Sequence, residues 1–188
     1  MSAGSDCFRR FILAVVLMAV AWTCPPLAAK ENALRAWPKN LPSPSLKLTD
    51  LASTEWDLDR LRGKVVVLNF WTTWCSPCVD EIPFLNDLAA ATSTTGKVVI
   101  LGVNFKESGA AIQRFSQEHV FQYPILQDKS GETFRKWTTG ILPTTILIAP
   151  DGQARWRIVG ELERTDGSLR ELIEKMLDER ESNKAGPK

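Results

Sequence analysis

The chain has 188 residues, 44% of them hydrophobic and 24% charged, with a formal net charge of +1. That is globular composition, long enough for one domain with appendages, and too balanced in charge to give nucleic acid an electrostatic hold. The two signs are interspersed, and no solenoid-period repeat or low-complexity tract interrupts the chain.

Arg9-Arg10, an apolar run from Phe11 to Trp22 and the break Thr23-Cys24-Pro25-Pro26 come first. The run is shorter than the roughly 20 apolar residues that cross a bilayer and suits the core of an export signal. Ala28-Ala29 offers a cleavage point with imperfect neighbours, so residues 1–29 are expected to be a signal peptide or a retained membrane anchor. Residues 30–45 carry Pro38, Pro42 and Pro44 and read as a linker. From Leu46, loose alternation through Leu48 and Trp56 suggests one or two short strands, and Asp59 to Gly63 a turn. Val65-Val66-Val67-Leu68-Asn69-Phe70 is β-branched and apolar on both parities, the pattern of a strand buried on both faces.

Val79, Ile82, Leu85, Leu88 and Ala89 then share one helical face, with Pro83 expected to kink the helix. A second buried strand is expected at Val98 to Val103, a helix from Gly109 to His119, and a short strand at Tyr123 to Leu126. A turn or short helix around Lys129 to Trp137 leads to a strand at Thr144 to Ile148. Asp151-Gly152 signals a hairpin into Ala154 to Val159. Leu169, Leu172, Ile173, Met176 and Leu177 make the last helix amphipathic, with Ser168 to Glu171 as its capping box and residues 182–188 as a disordered tail. The folded domain is therefore expected over 46–181, as an α/β sheet with helices on both faces.

Cys7 and Cys24 fall in the export segment, which leaves Cys75 and Cys78 alone in the body. A zinc site would need a second Cys pair or paired His, and the only histidine is His119. A purely structural disulfide closing so small a loop would add little stability. The spacing instead fits redox chemistry at a strand-to-helix junction. Unpaired N–H groups and the macrodipole at a helix N-terminus stabilise a thiolate at Cys75. Cys75 can then attack a disulfide, and Cys78, one turn on, resolves the mixed disulfide. Pro77 is tolerated because a first helical turn has no use for its missing N–H.

Phe70-Trp71-Thr72-Thr73-Trp74-Cys75-Ser76-Pro77-Cys78 resembles the active-site segment of thioredoxin-fold proteins. Gly63 to Trp71 before it, Glu81-Ile82-Pro83-Phe84-Leu85 after it, Leu142-Pro143-Thr144-Thr145 and Asp151-Gly152 resemble the exported TlpA/ResA-like branch, an AhpC/TSA–redoxin-like group that includes cytochrome c maturation reductants. The resemblance runs from about Leu46 to Leu177. It implies a thioredoxin fold, a central mixed β-sheet flanked by helices with extra N-terminal strands, and a thiol–disulfide oxidoreductase that works as a monomer without a cofactor or metal.

By position, the resemblance makes Pro143 cis and opposed to Cys75, beside a backbone that pairs with an extended substrate. It makes Glu81 an acid/base for the buried Cys78. Asn69 stands where thioredoxins proper carry a buried Asp, which argues against a general cytosolic thioredoxin. Trp74, Leu142 and Thr144 are the expected docking residues, and Trp71 is expected in the core. The partners implied are disulfide-containing exported proteins, apocytochrome c first and copper-site proteins second, with a membrane thiol electron donor and periplasmic localisation. A Cu(I)-binding role for the two thiolates and a disulfide-installing oxidant are the competing readings.

Overall fold

The computed structural model describes residues 33–162 and 167–184. In chain order these form β1 (Ala33–Ala36), β2 (Lys47–Thr49), β3 (Glu55–Asp57), a 3₁₀ turn (Leu58–Leu61), β4 (Val65–Trp71), α1 (Ser76–Asp80), α2 (Ile82–Thr92), β5 (Val98–Phe105), α3 (Gly109–Phe115), β6 (Ile125–Asp128), α4 (Glu132–Trp137), β7 (Thr144–Ile148), β8 (Ala154–Val159) and α5 (Ser168–Lys184). Six strands make one mixed sheet in the order β1-β8-β7-β4-β5-β6, while β2 and β3 form a separate antiparallel ribbon.

β4 sits inside the sheet, parallel to β5 and antiparallel to β7, and every one of its residues is buried. Its alternation divides the core. Val65, Val67 and Trp71 join one cluster with Cys75, Cys78, Phe84, Leu85 and Leu88, and with Leu169, Ile173 and Met176 of α5. Val66, Leu68 and Phe70 join another with Trp37, Leu46, Leu58, Phe134 and Trp137. A strand buried on both faces needs apolar residues at both parities, so the unbroken Val-Val-Val-Leu run is what a central strand requires.

Several boundaries differ from the sequence expectation. Residues 33–36, read as part of a linker, form edge strand β1, paired with β8 from Ala33↔Val159 to Ala36↔Trp156. Trp37 beyond it is buried against Trp137, with ring centroids 5.7 Å apart. A prolyl-rich stretch can still contribute a strand at a sheet edge, where a ladder is needed on one side only. Helix α3 stops at Phe115 rather than His119: the Ser116 hydroxyl bonds back to the Ile112 carbonyl, and Gln117 and Glu118 close tight bonds to residues three back. The short strand begins at Ile125 instead of Tyr123. Ser168 is the first residue of α5 with Gly167 before it, and that helix continues to Lys184, into the stretch read as a disordered tail. Residues 1–29 lie outside the described residues.

Candidate redox site

β4 ends at Trp71, and the chain passes through Thr72-Thr73-Trp74 to Cys75, the N-cap of α1. Two carboxylate oxygens hold this loop from the side. Glu107, just past β5, accepts from the Thr73 backbone N–H at 2.8 Å and from its hydroxyl at 2.5 Å, and also from the Asn104 amide at 2.7 Å. The Cys75 carbonyl starts α1 by accepting from the N–H groups of Cys78 and Val79. Pro77 sits in the first turn, where no partner for its nitrogen is required.

Cys75 and Cys78 are joined in a disulfide with a Cα–Cα separation of 5.2 Å. Their exposure is unequal, 7% for Cys75 and 1% for Cys78, although both belong to the core cluster under β4. Trp74, immediately before them, is 70% exposed.

The helix after the motif is broken, as Pro83 requires. Without an N–H, Pro83 cannot bond to the Val79 carbonyl, and Glu81 becomes the C-cap of α1 and the N-cap of α2. Glu81 is fully buried. Its Oε1 accepts from the Asn69 amide at 2.6 Å, and its Oε2 from the Leu162 backbone N–H at 2.9 Å. Asn69 also donates to the Thr145 hydroxyl at 3.0 Å across the β4–β7 ladder, where the two residues are directly paired. Burial pushes the Glu81 carboxyl up to about 8, and the negative charge of Glu161 adds to the rise; the two donated hydrogen bonds resist it without cancelling it. Tyr123 is buried too, and burial together with the Glu81 charge keeps its phenol protonated.

The Leu142–Pro143 peptide is cis, and Pro143 is buried. Thr144 pairs with Phe70, so the residue before it lies at the end of β4 from which the cysteine loop departs. Leu142 packs half-buried against both core clusters. Thr144, expected among the docking residues, turns its side chain inward. It is wholly buried, and its hydroxyl donates to the Ile141 carbonyl at 2.7 Å. The first residue of a strand held between β4 and β8 has no free face to offer, and the exposed apolar residue of this loop is Ile141, at 50%. Ile141 and the Glu107 clamp escaped the sequence reading. A lone Ile beside a cis-prolyl motif, or a lone Glu after a strand, has no spacing signature.

The AhpC/TSA family pattern matches residues 40–157. Thiol-disulfide oxidoreductase ResA of Geobacillus kaustophilus is 35% identical over 158 residues, covering 84% of this chain and 89% of that protein. ResA of Bacillus thuringiensis subsp. konkukian is 32% identical over 170 residues, covering 90% and 95%. Among solved structures, a Chlorobium tepidum protein described as a thiol:disulfide interchange protein DsbE superposes with a TM-score of 0.67 at 25% identity, over 72% of this chain and 95% of that one. With its cysteine pair at the end of a central strand of a thioredoxin-like mixed sheet, the chain belongs to the AhpC/TSA family and is a thiol–disulfide oxidoreductase of the ResA-like kind.

Proposed function

We propose that the protein is an exported reductant of disulfides in other exported proteins, with Cys75 as nucleophile, Cys78 as resolving thiol and Glu81 as the proton acceptor for Cys78. The observation that carries this is the pairing of an almost wholly buried Cys78 with a buried carboxyl whose proton affinity is raised to about 8, three residues on. A buried thiol cannot lose its proton to water directly, and an acceptor tuned near working pH performs that transfer best. In the cycle, the Cys75 thiolate attacks a substrate disulfide and displaces one substrate sulfur as thiolate. Cys78 then gives its proton to Glu81 and attacks the Cys75 sulfur, releasing the second substrate thiolate and leaving the Cys75–Cys78 disulfide. Two electrons have passed to the substrate, and a membrane thiol donor restores the dithiol.

Pro143 opposes Cys75 in this reading, and Trp74, Leu142 and Ile141 form the surface that takes an extended substrate segment. The export address rests on the basic and apolar pattern of residues 9–22. The substrate class is the paired haem-attachment cysteines of apocytochrome c, on the resemblance of the motifs from Gly63 to Thr145. Cys78→Ala leaves a mixed disulfide unresolved, so trapping in the exported compartment captures the substrates directly. Recovery of apocytochrome c bound to Cys75 is the expected result. Recovery of copper-site proteins in its place overturns the substrate assignment.

A further inference from the structure

On the face of β4 that shares a core with the cysteines, one residue breaks the apolar row. Val65, Val67 and Trp71 belong to the cluster that holds Cys75 and Cys78, and Asn69 stands between them, 1% exposed. A primary amide in such surroundings costs free energy unless its polar atoms are paired. Its nitrogen carries two protons, and both have acceptors: Glu81 Oε1 at 2.6 Å and Thr145 Oγ1 at 3.0 Å. Thr145 is the residue directly opposite on β7, two places beyond Pro143, and is wholly buried.

An amide that gives Glu81 a proton to lean on favours the carboxylate, and only the carboxylate can take a proton from a thiol. We propose that Asn69 is a positioning residue for the resolving step: with its second proton held by Thr145, it fixes Glu81 Oε1 and favours the ionised form. The proposal rests on the reading of Glu81 as proton acceptor for Cys78. Burial drives Glu81 toward its acid form, and the bonds from Asn69 and from the Leu162 backbone oppose it. Of these two donors, Asn69 is the one that a substitution removes. Among the titratable groups around Glu81, Cys78 on α1 is the proton donor of the cycle. Tyr123 before β6 stays protonated, and Glu161 after β8 adds a negative charge that raises the proton affinity of Glu81. Thr145 matters because an unpaired buried N–H is costlier than an under-used carbonyl oxygen. Without its hydroxyl the amide gains by turning its oxygen to a protonated Glu81.

Two readouts test this on the full chain carrying Cys7→Ser and Cys24→Ser, so that only the paired cysteines react. In the oxidised protein the paired sulfurs do not titrate, and the carboxylic-acid infrared band that Glu81→Gln removes reports the protonation of Glu81. In the reduced protein, an equimolar chromogenic aromatic disulfide releases one coloured thiolate when Cys75 attacks and a second when Cys78 resolves. The second phase has its own pH midpoint. In Asn69→Ala a hydrogen bond that favours the carboxylate is gone, so both midpoints should rise by on the order of one pH unit. Thr145→Val should move both in the same direction by less, and Thr145→Ser should keep the wild-type values. If Asn69→Ala does not fold, the Thr145 pair carries the test. Lost stability with both midpoints unmoved is the result of a purely structural amide, and it overturns the role of Asn69 alone. An infrared midpoint that moves while the second phase stays in place overturns the reading of Glu81 as acceptor and takes this one with it.

Discussion

The two sulfurs differ by little in sequence and by much in circumstance. Cys75 caps a helix and retains some exposure, while Cys78 has almost none. On the proposed cycle Cys75→Ser removes the attacking sulfur and should abolish insulin-disulfide reduction, measured by turbidity. Cys78→Ala should still form the first mixed disulfide and then stall. Glu81 makes a second residue-scale prediction, about stability. Its proton is held in the native state up to about 8 and lost near 4.5 when the chain unfolds. Between those values the native state binds more protons than the unfolded chain, so stability of the oxidised protein should fall as pH rises from 5 to 8, by on the order of a few kcal/mol. Urea denaturation at the two pH values measures this. Glu81→Gln should flatten the dependence.

At the scale of elements, the site depends on how β4 hands over to α1 and how α1 breaks into α2. The Glu107 clamp ties the first junction to the end of β5, and Glu107→Ala should cost about 1–3 kcal/mol by leaving the Thr73 and Asn104 donors without their acceptor. The same variant should slow attack by Cys75, visible as a lower rate of the first thiolate release from an aromatic disulfide. The β5 contact with β4 is tight enough to test by addition. A Cβ at Gly102 would stand 2.8 Å from Ile125 Cδ1, 3.0 Å from the Tyr123 ring and 3.2 Å from Trp71 Nε1. Gly102→Ala should therefore destabilise the domain by about 1–3 kcal/mol through overpacking. Pro83 was legible as a kink from its position in a helical pattern. That the kink would make Glu81 the shared cap of two helices and bring Asn69 and Leu162 onto its carboxylate was not, because Asn69 is 12 residues away in sequence and Leu162 is 81.

For the molecule as a whole, the β-branched runs, the helix faces and the Asp151-Gly152 turn gave the sheet and its helices before any contact was known. Pattern failed where an element owes its state to a partner far along the chain. Residues 33–36 have no strand signature of their own and are a strand because β8 lies open beside them. Trp37→Ala distinguishes the two descriptions: in a linker it would be silent, and against Trp137 it should cost about 3 kcal/mol or more in urea denaturation. Local spacing was enough to set the chemistry, since a strand, a two-residue gap between cysteines and a helix start place a thiolate where the backbone stabilises it. The sequence by itself therefore determined that this chain exchanges disulfides, and at which sulfurs. Only the tertiary structure decided which groups surround them: Asn69 (itself bonded to Thr145) and Leu162 assembled on Glu81, Glu107 on Thr73, Thr144 turned inward and Ile141 outward. The physical reason is range. Backbone conformation and thiolate stabilisation act within a turn or two of chain, whereas burial and the proton affinity it imposes come from whichever distant segments the fold packs around the site.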